Sequence, residues 1–156
     1  MIISDATAII VLINIDCFEI LETFKTPIIV TSEVYNEVVS QNYDKKIVDE
    51  KIKNHIIRIQ NAHNKTFQNE LTILLDSGEA SSIALALETK YPLIIDEKKG
   101  RKIAQNFGVR VIGIVGILKF LYQNKTHTKE KTMEIIERLK GSDFRIEDKL
   151  LEFILN

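Results

Sequence analysis

The chain is defined first by what it has little of. Its single cysteine, Cys17, excludes an intrachain disulfide and a cysteine-based zinc site, and fits a reducing, intracellular setting. Its net charge of −1 gives no overall field for nucleic acid, so any such binding must use a local basic patch. No run approaches the roughly 18 uncharged apolar residues of a membrane span. The opening MIISDATAIIVLINID is apolar but carries Asp5 and no basic leader, so it reads as a strand and helix of the mature fold rather than a signal peptide. A soluble, cytoplasmic protein is expected. The histidines, His55, His63 and His127, lack HxxxH or HExxH spacing, and ordinary surface or half-buried roles suit them. Ser77, Ser81 and Ser82 form no GxSxG elbow, and the glycines form neither GxGxxG nor a P-loop, so a nucleotide cofactor has no support. Cys17 has no histidine at motif spacing and reads as a core thiol.

What remains is ordinary in bulk and informative in pattern. The 156 residues are 45% apolar and 28% charged, enough for one domain with a substantial core. Ile2-Ile3, Ile28-Ile29-Val30 and Leu93-Ile94-Ile95 are unbroken apolar runs, and Val109 to Ile112 a fourth run interrupted only by Arg110, as in parallel strands covered on both faces. His55 to Ile59 alternates in part, as an edge strand or a helix end would. Ala80, Ile83, Ala84 and Leu87 make one helical stripe, and Ile114, Ile117, Leu118 and Leu121 another. Strands alternating with helices predict a three-layer α/β/α sandwich on a mostly parallel sheet of four or five strands. From about residue 129, two helices without intervening strands are expected, the first ending near Gly141. No linker or internal repeat breaks residues 1–156, so a single domain is expected.

The segment YPLIIDEKKGRK, residues 91 to 102, ends an apolar run on two acids and follows them with four cations. In a parallel α/β sheet the functional crevice lies beyond the carboxyl ends of the strands. Asp5 and Asp96 each follow such a run, Glu37 lies one turn into the helix after the second, and Glu79 begins the alanine-rich helix. Each has a plainer role open to it. Asp5 and Asp96 could be N-caps, Asp76 and Glu79 a capping box, and Glu37 a solvated helix residue. As a set they outline a carboxylate-lined crevice. Two carboxylates about 5 Å apart repel by roughly 3 kcal/mol at an effective dielectric of 20. A hard divalent cation removes that repulsion, and all-oxygen ligands favour Mg²⁺ or Mn²⁺. Lys98, Lys99, Arg101 and Lys102 could then hold the phosphates of an incoming strand, or form a solvated first turn of helix.

Asp5-Ala-Thr7, Glu37 in VYNEVV, GEASSIALALE and LIIDEKKGRKIAQNFGVRVIGIVGIL together resemble the PIN-domain superfamily, in its uncharacterised, VapC-like branch of toxin-type nucleases. The resemblance spans essentially the whole chain, is most specific from Gly78 to Leu118, and is weakest between about residues 41 and 70. It implies a Mg²⁺- or Mn²⁺-dependent endoribonuclease, the toxin of a toxin–antitoxin pair. It also implies that Asp5, Glu37, Glu79 and Asp96 are the catalytic, metal-holding quartet, with Thr7 as the hydroxyl beside them. Glu79 stands where most such toxins have Asp, and Glu97 could align in place of Asp96, which is preferred because it ends the strand directly.

The competing expectation is a PIN-fold module that binds RNA or protein without cleaving it. A phosphatase with Asp5 as nucleophile would want a second Asp where Thr7 stands. RNA is the expected substrate and no membrane partner is indicated. Phe144, Ile146, Leu150, Leu151, Phe153 and Ile154, with the Leu118–Tyr122 stripe, suggest a homodimer that also accepts an antitoxin protein, or else the closing face of the monomer's own core.

Overall fold

A computed structural model describes residues 1–40 and 44–156. Five strands form one sheet: β1 (Ile2–Ser4), β2 (Ile28–Val30), β3 (Ile57–Ile59), β4 (Leu93–Ile94) and β5 (Val111–Ile112). All pair in parallel, in the order β3-β2-β1-β4-β5. The sheet expected to be mostly parallel is parallel throughout, and the alternating segment around His55 resolves into the edge strand β3.

The unbroken apolar runs work because both faces of the sheet are covered. Register places Ile3 beside Ile29 and Leu93, and all three face one apolar cluster together with Ile95 and Ala84. One residue along, Ile28 and Ile57 are partners, and with Ile94 they face the other cluster with Leu12, Leu118 and Ile136. A strand period of two thus sends alternate residues of the same run into opposite layers.

Among the described residues ten helices cover these faces. On one side lie α1 (Ala6–Asn14), α2 (Glu19–Glu22), α3 (Ser32–Val39), α4 (Asp44–Lys53), α8 (Ile114–Gln123), α9 (Lys129–Lys140) and α10 (Asp148–Leu155). On the other lie α5 (Lys65–Leu71), α6 (Ser77–Thr89) and α7 (Lys98–Asn106). Helix α6 carries the alanine stripe and is buried from Ala80 through Ala86, because small side chains let it pack between α3, α5 and the central strands. The two C-terminal helices begin close to where expected, and α10 lies on α8. Ile154 is fully buried, and Leu151, Phe144 and Ile146 pack against the core, so most of the apolar C-terminal segment closes the monomer. Helices α2, α4 and α5 had no clear signature in sequence.

The helices start where a side chain satisfies their free N–H groups. Asp5 accepts from Ala8 N at 3.0 Å, Thr31 from Val34 N at 3.1 Å, and Glu97 from Gly100 N at 2.7 Å. Each such cap stabilises a helix by about 1 kcal/mol. These caps follow β1, β2 and β4, so the turns that begin α1, α3 and α7 also place their polar groups at one edge of the sheet.

Candidate active site

Strand order decides where a crevice opens. From β1 the chain builds outward through β2 and β3, then returns to lay β4 on the other side of β1. The connections after β1 and β4 therefore diverge, leaving a gap beyond their carboxyl ends, where α/β sheets bind ligands. Asp5 and Asp96 follow these two strands. The Asp5 N–H donates to Ile94 O at 3.0 Å, extending the ladder and fixing the two acids as neighbours on that edge.

Asp5 is 3% exposed. Burial raises its pKa to about 8 against the opposing pull of the Ala8 N–H, and Asp96, Glu79 and Glu37 add their repulsion. Its role as helix cap and its place among the acids are therefore not alternatives. Asp96 is half-buried, and both its oxygens accept from Ile114 N, at 3.1 and 3.3 Å. Helix α8 begins after Gly113, which has no side chain to cap it, and the neighbouring strand's aspartate supplies the acceptor. Burial raises Asp96 to about 6, with the Ile114 N–H and the Arg101 guanidinium pulling the other way.

The two glutamates reach the crevice from flanking helices. Glu37 is exposed as a residue, but its carboxylate lies over Gly78, where a Cβ would stand 2.7 Å from Oε2. Partial burial there, then Asp76, raises its pKa. Glu79 does not complete a capping box with Asp76: the Glu79 N–H donates to Asp76 Oδ1 at 2.8 Å, but the Glu79 carboxylate turns to Gly100, its Oε1 3.2 Å from where a Cβ would be. Burial, then Asp76 and Glu97, raise Glu79 to about 7.

Other predicted residues are placed differently from one another. Thr7 is exposed on the first turn of α1, and among the described residues its hydroxyl has no hydrogen-bond partner. Glu97 caps α7 and faces Glu79. Lys98, Lys99 and Lys102 are exposed on α7, whereas Arg101 is half-buried, with Nη1 donating to Ile95 O at 3.2 Å beside Asp96. Arg101 is thus part of the carboxylate edge as well as of the basic helix.

Two features were missed in sequence. Asp76, read only as a cap, is a fifth acid acting on Glu37 and Glu79. A hydroxyl chain also ties α3 to α6: Val34 N–H donates to Thr31 Oγ1, which lies 2.7 Å from Ser81 Oγ, which donates to Gly78 O at 2.9 Å. It fixes Gly78 under Glu37. Two clues were available: Thr31 follows its strand as Asp5 does, and Ser81 lies within a run of small residues.

Among the described residues no three ligating side chains stand close enough to share one ion. The donor set nevertheless fits a hard divalent cation. Its donors are all oxygens, three of them add to the raised pKa of Asp5, and the same three are seated where Gly78, Gly100 and Gly113 leave room for them.

A sequence profile of a family described as a PIN domain matches residues 1–156. The chain belongs to the PIN-domain family. A comparison with curated proteins finds no match. PIN domains are generally nucleases that use divalent metals, and the five-stranded parallel sheet with helices on both faces is the architecture expected of one. No helix among the described residues of this PIN domain is long and apolar enough to cross a membrane.

Proposed function

We propose that this PIN domain is a Mg²⁺- or Mn²⁺-dependent endoribonuclease, and the toxin of a toxin–antitoxin pair in the cytoplasm. The observation that carries the nuclease reading is the meeting of Asp5 and Asp96 at the β1/β4 gap, with Glu37 and Glu79 leaning in from α3 and α6. A group of carboxylates whose pKa values are all raised, chiefly by burial, suits a task that needs a strong positive charge beside them. Asp5, Glu37, Glu79 and Asp96 would hold the ion. When bound, it would lower the pKa of a water to make a nucleophile and offset charge on the phosphate.

The chain's own residues then have distinct tasks. Asp5 and Asp96 are anchored by the Ala8 and Ile114 N–H groups, so their positions are fixed by α1 and α8. Glu37 and Glu79 sit on longer arms and can adjust. Arg101 holds Asp96 nearer its charged form, while Lys98, Lys99 and Lys102 would attract the phosphate backbone. Thr7 lies two residues beyond Asp5, open to a substrate.

Labelled RNA incubated with the protein should be cut internally with Mn²⁺ or Mg²⁺ and left intact with chelator. An Asp5→Asn protein that folds and still cuts at the wild-type rate would overturn the assignment. Binding of RNA with no cleavage under any metal would instead favour the non-catalytic module. The whole of residues 1–156 would act as one domain. Since the monomer uses most of its C-terminal apolar segment, a homodimer or an antitoxin would cover Ile73, Leu74 and Phe107, which stay exposed. Light scattering that shows a monomer at micromolar concentration would remove the dimer.

A further inference from the structure

A cleft of about 900 Å³ opens from Asp96 and runs between α7 and the C-terminal segment. One wall is a single face of α7, with Lys98, Arg101 and Lys102 at i, i+3 and i+4. The facing wall carries Phe144, Arg145 and Phe153, and the floor is Ile112, Gly113 and Gly116. Four cations thus face the space, against the two carboxylates of Asp96 and Glu147. Among the described residues, Lys98, Lys102 and Arg145 have no ion-pair partner. Phe153 is 49% exposed, and Lys119 Nζ sits 3.6 Å from its ring centroid, adding charge and holding the ring in place.

We propose that this cleft is a subsite for single-stranded RNA, in which α7 and Arg145 hold phosphates and Phe144 and Phe153 stack unpaired bases on the way to Asp96. This rests on the nuclease reading for its substrate and adds a second wall to the path. Unpaired cations beside half-exposed rings suit a strand with charged backbone and free base faces. A duplex keeps its bases stacked on each other and offers the rings nothing. A purely apolar partner would leave the cations buried without counter-charge.

The test is fluorescence anisotropy of a short labelled single-stranded RNA in chelator, titrated across a range of salt. Lys102→Ala and Arg145→Ala should each reduce the slope of log affinity against log salt by about 0.7. Phe153→Leu should weaken binding about tenfold with the slope unchanged, and Phe153→Tyr should restore it. Lys53→Ala, exposed at the end of α4 and outside the cleft, should bind as wild type. Circular dichroism melts establish that each variant is folded. If Phe153→Leu does not fold, Phe153→Tyr and Arg145→Ala carry the test. The proposal fails if Lys102→Ala and Arg145→Ala bind as wild type, if Lys53→Ala loses as much, or if a duplex binds as tightly as the single strand. Parallel cleavage with Mn²⁺ separates the two ideas. Cleft-dependent binding without cleavage leaves the subsite and removes the nuclease. Cleavage with cleft variants binding normally does the reverse.

Discussion

Asp5→Asn offers the sharpest test of the electrostatic argument, because it changes one charge and leaves the shape alone. Asn accepts the Ala8 N–H as Asp does, so the start of α1 should survive. In the unfolded chain Asp5 titrates near 3.8, and in the folded protein near 8. A raised folded pKa means that the native state binds the extra proton, so the stability is fully present below the unfolded pKa. It is lost as pH rises through the folded value. Between pH 5 and 7 metal-free wild type should lose about 2.5 kcal/mol from this group alone, at 1.36 kcal/mol per unit. At roughly 3 °C per kcal/mol, that is a fall of about 8 °C in melting midpoint. Asp5→Asn should lack that component and keep only the smaller decline from Glu79, Glu37 and Asp96, whose pKa values are also raised. Urea unfolding in chelator at pH 5, 6, 7 and 8 measures both curves. If they run parallel, Asp5 is ionised in the folded protein and burial has not done what is claimed.

Other expectations follow from the same edge. Mn²⁺ should raise the wild-type melting midpoint more at pH 8 than at pH 6, because protons must leave Asp5, Glu79 and Asp96 first; a shift that does not vary with pH would place the ion elsewhere. Gly78→Ala puts a Cβ 2.7 Å from the present position of Glu37 Oε2, which can swing away. Stability should hold or rise by about 0.5 kcal/mol from helix propensity while metal-dependent cleavage falls several-fold, and an unaltered rate would detach Glu37 from the site. Arg101→Ala should weaken RNA binding but strengthen metal-induced stabilisation at pH 8, since it removes a positive charge that repels the ion beside Asp96. If only the salt dependence of RNA binding changes, Arg101 is a surface contact like Lys98.

The sequence by itself carried the layers of this protein. Leu93-Ile94-Ile95 is apolar without alternation because alternate residues enter different cores, and that pattern requires no knowledge of the partners. It also carried the acids at segment starts, since a polar residue directly after a buried run has few places to go. Strand order was invisible, because nothing in Ile2-Ile3 says whether Ile28 or Leu93 lies beside it. Only the assembled sheet puts β1 between β2 and β4 and so opens the gap next to Asp5. The same holds for Asp76, whose capping role is local but whose charge acts across helices on Glu37. Arg101 and Lys98 look alike in KKGRK, yet a turn of helix sends one inward to Ile95 and leaves the other in water. The facing wall of Phe144, Arg145 and Phe153 was likewise beyond reach. Caps and periodicity depend on neighbours a few residues away, whereas a cleft depends on which distant helices the core brings side by side.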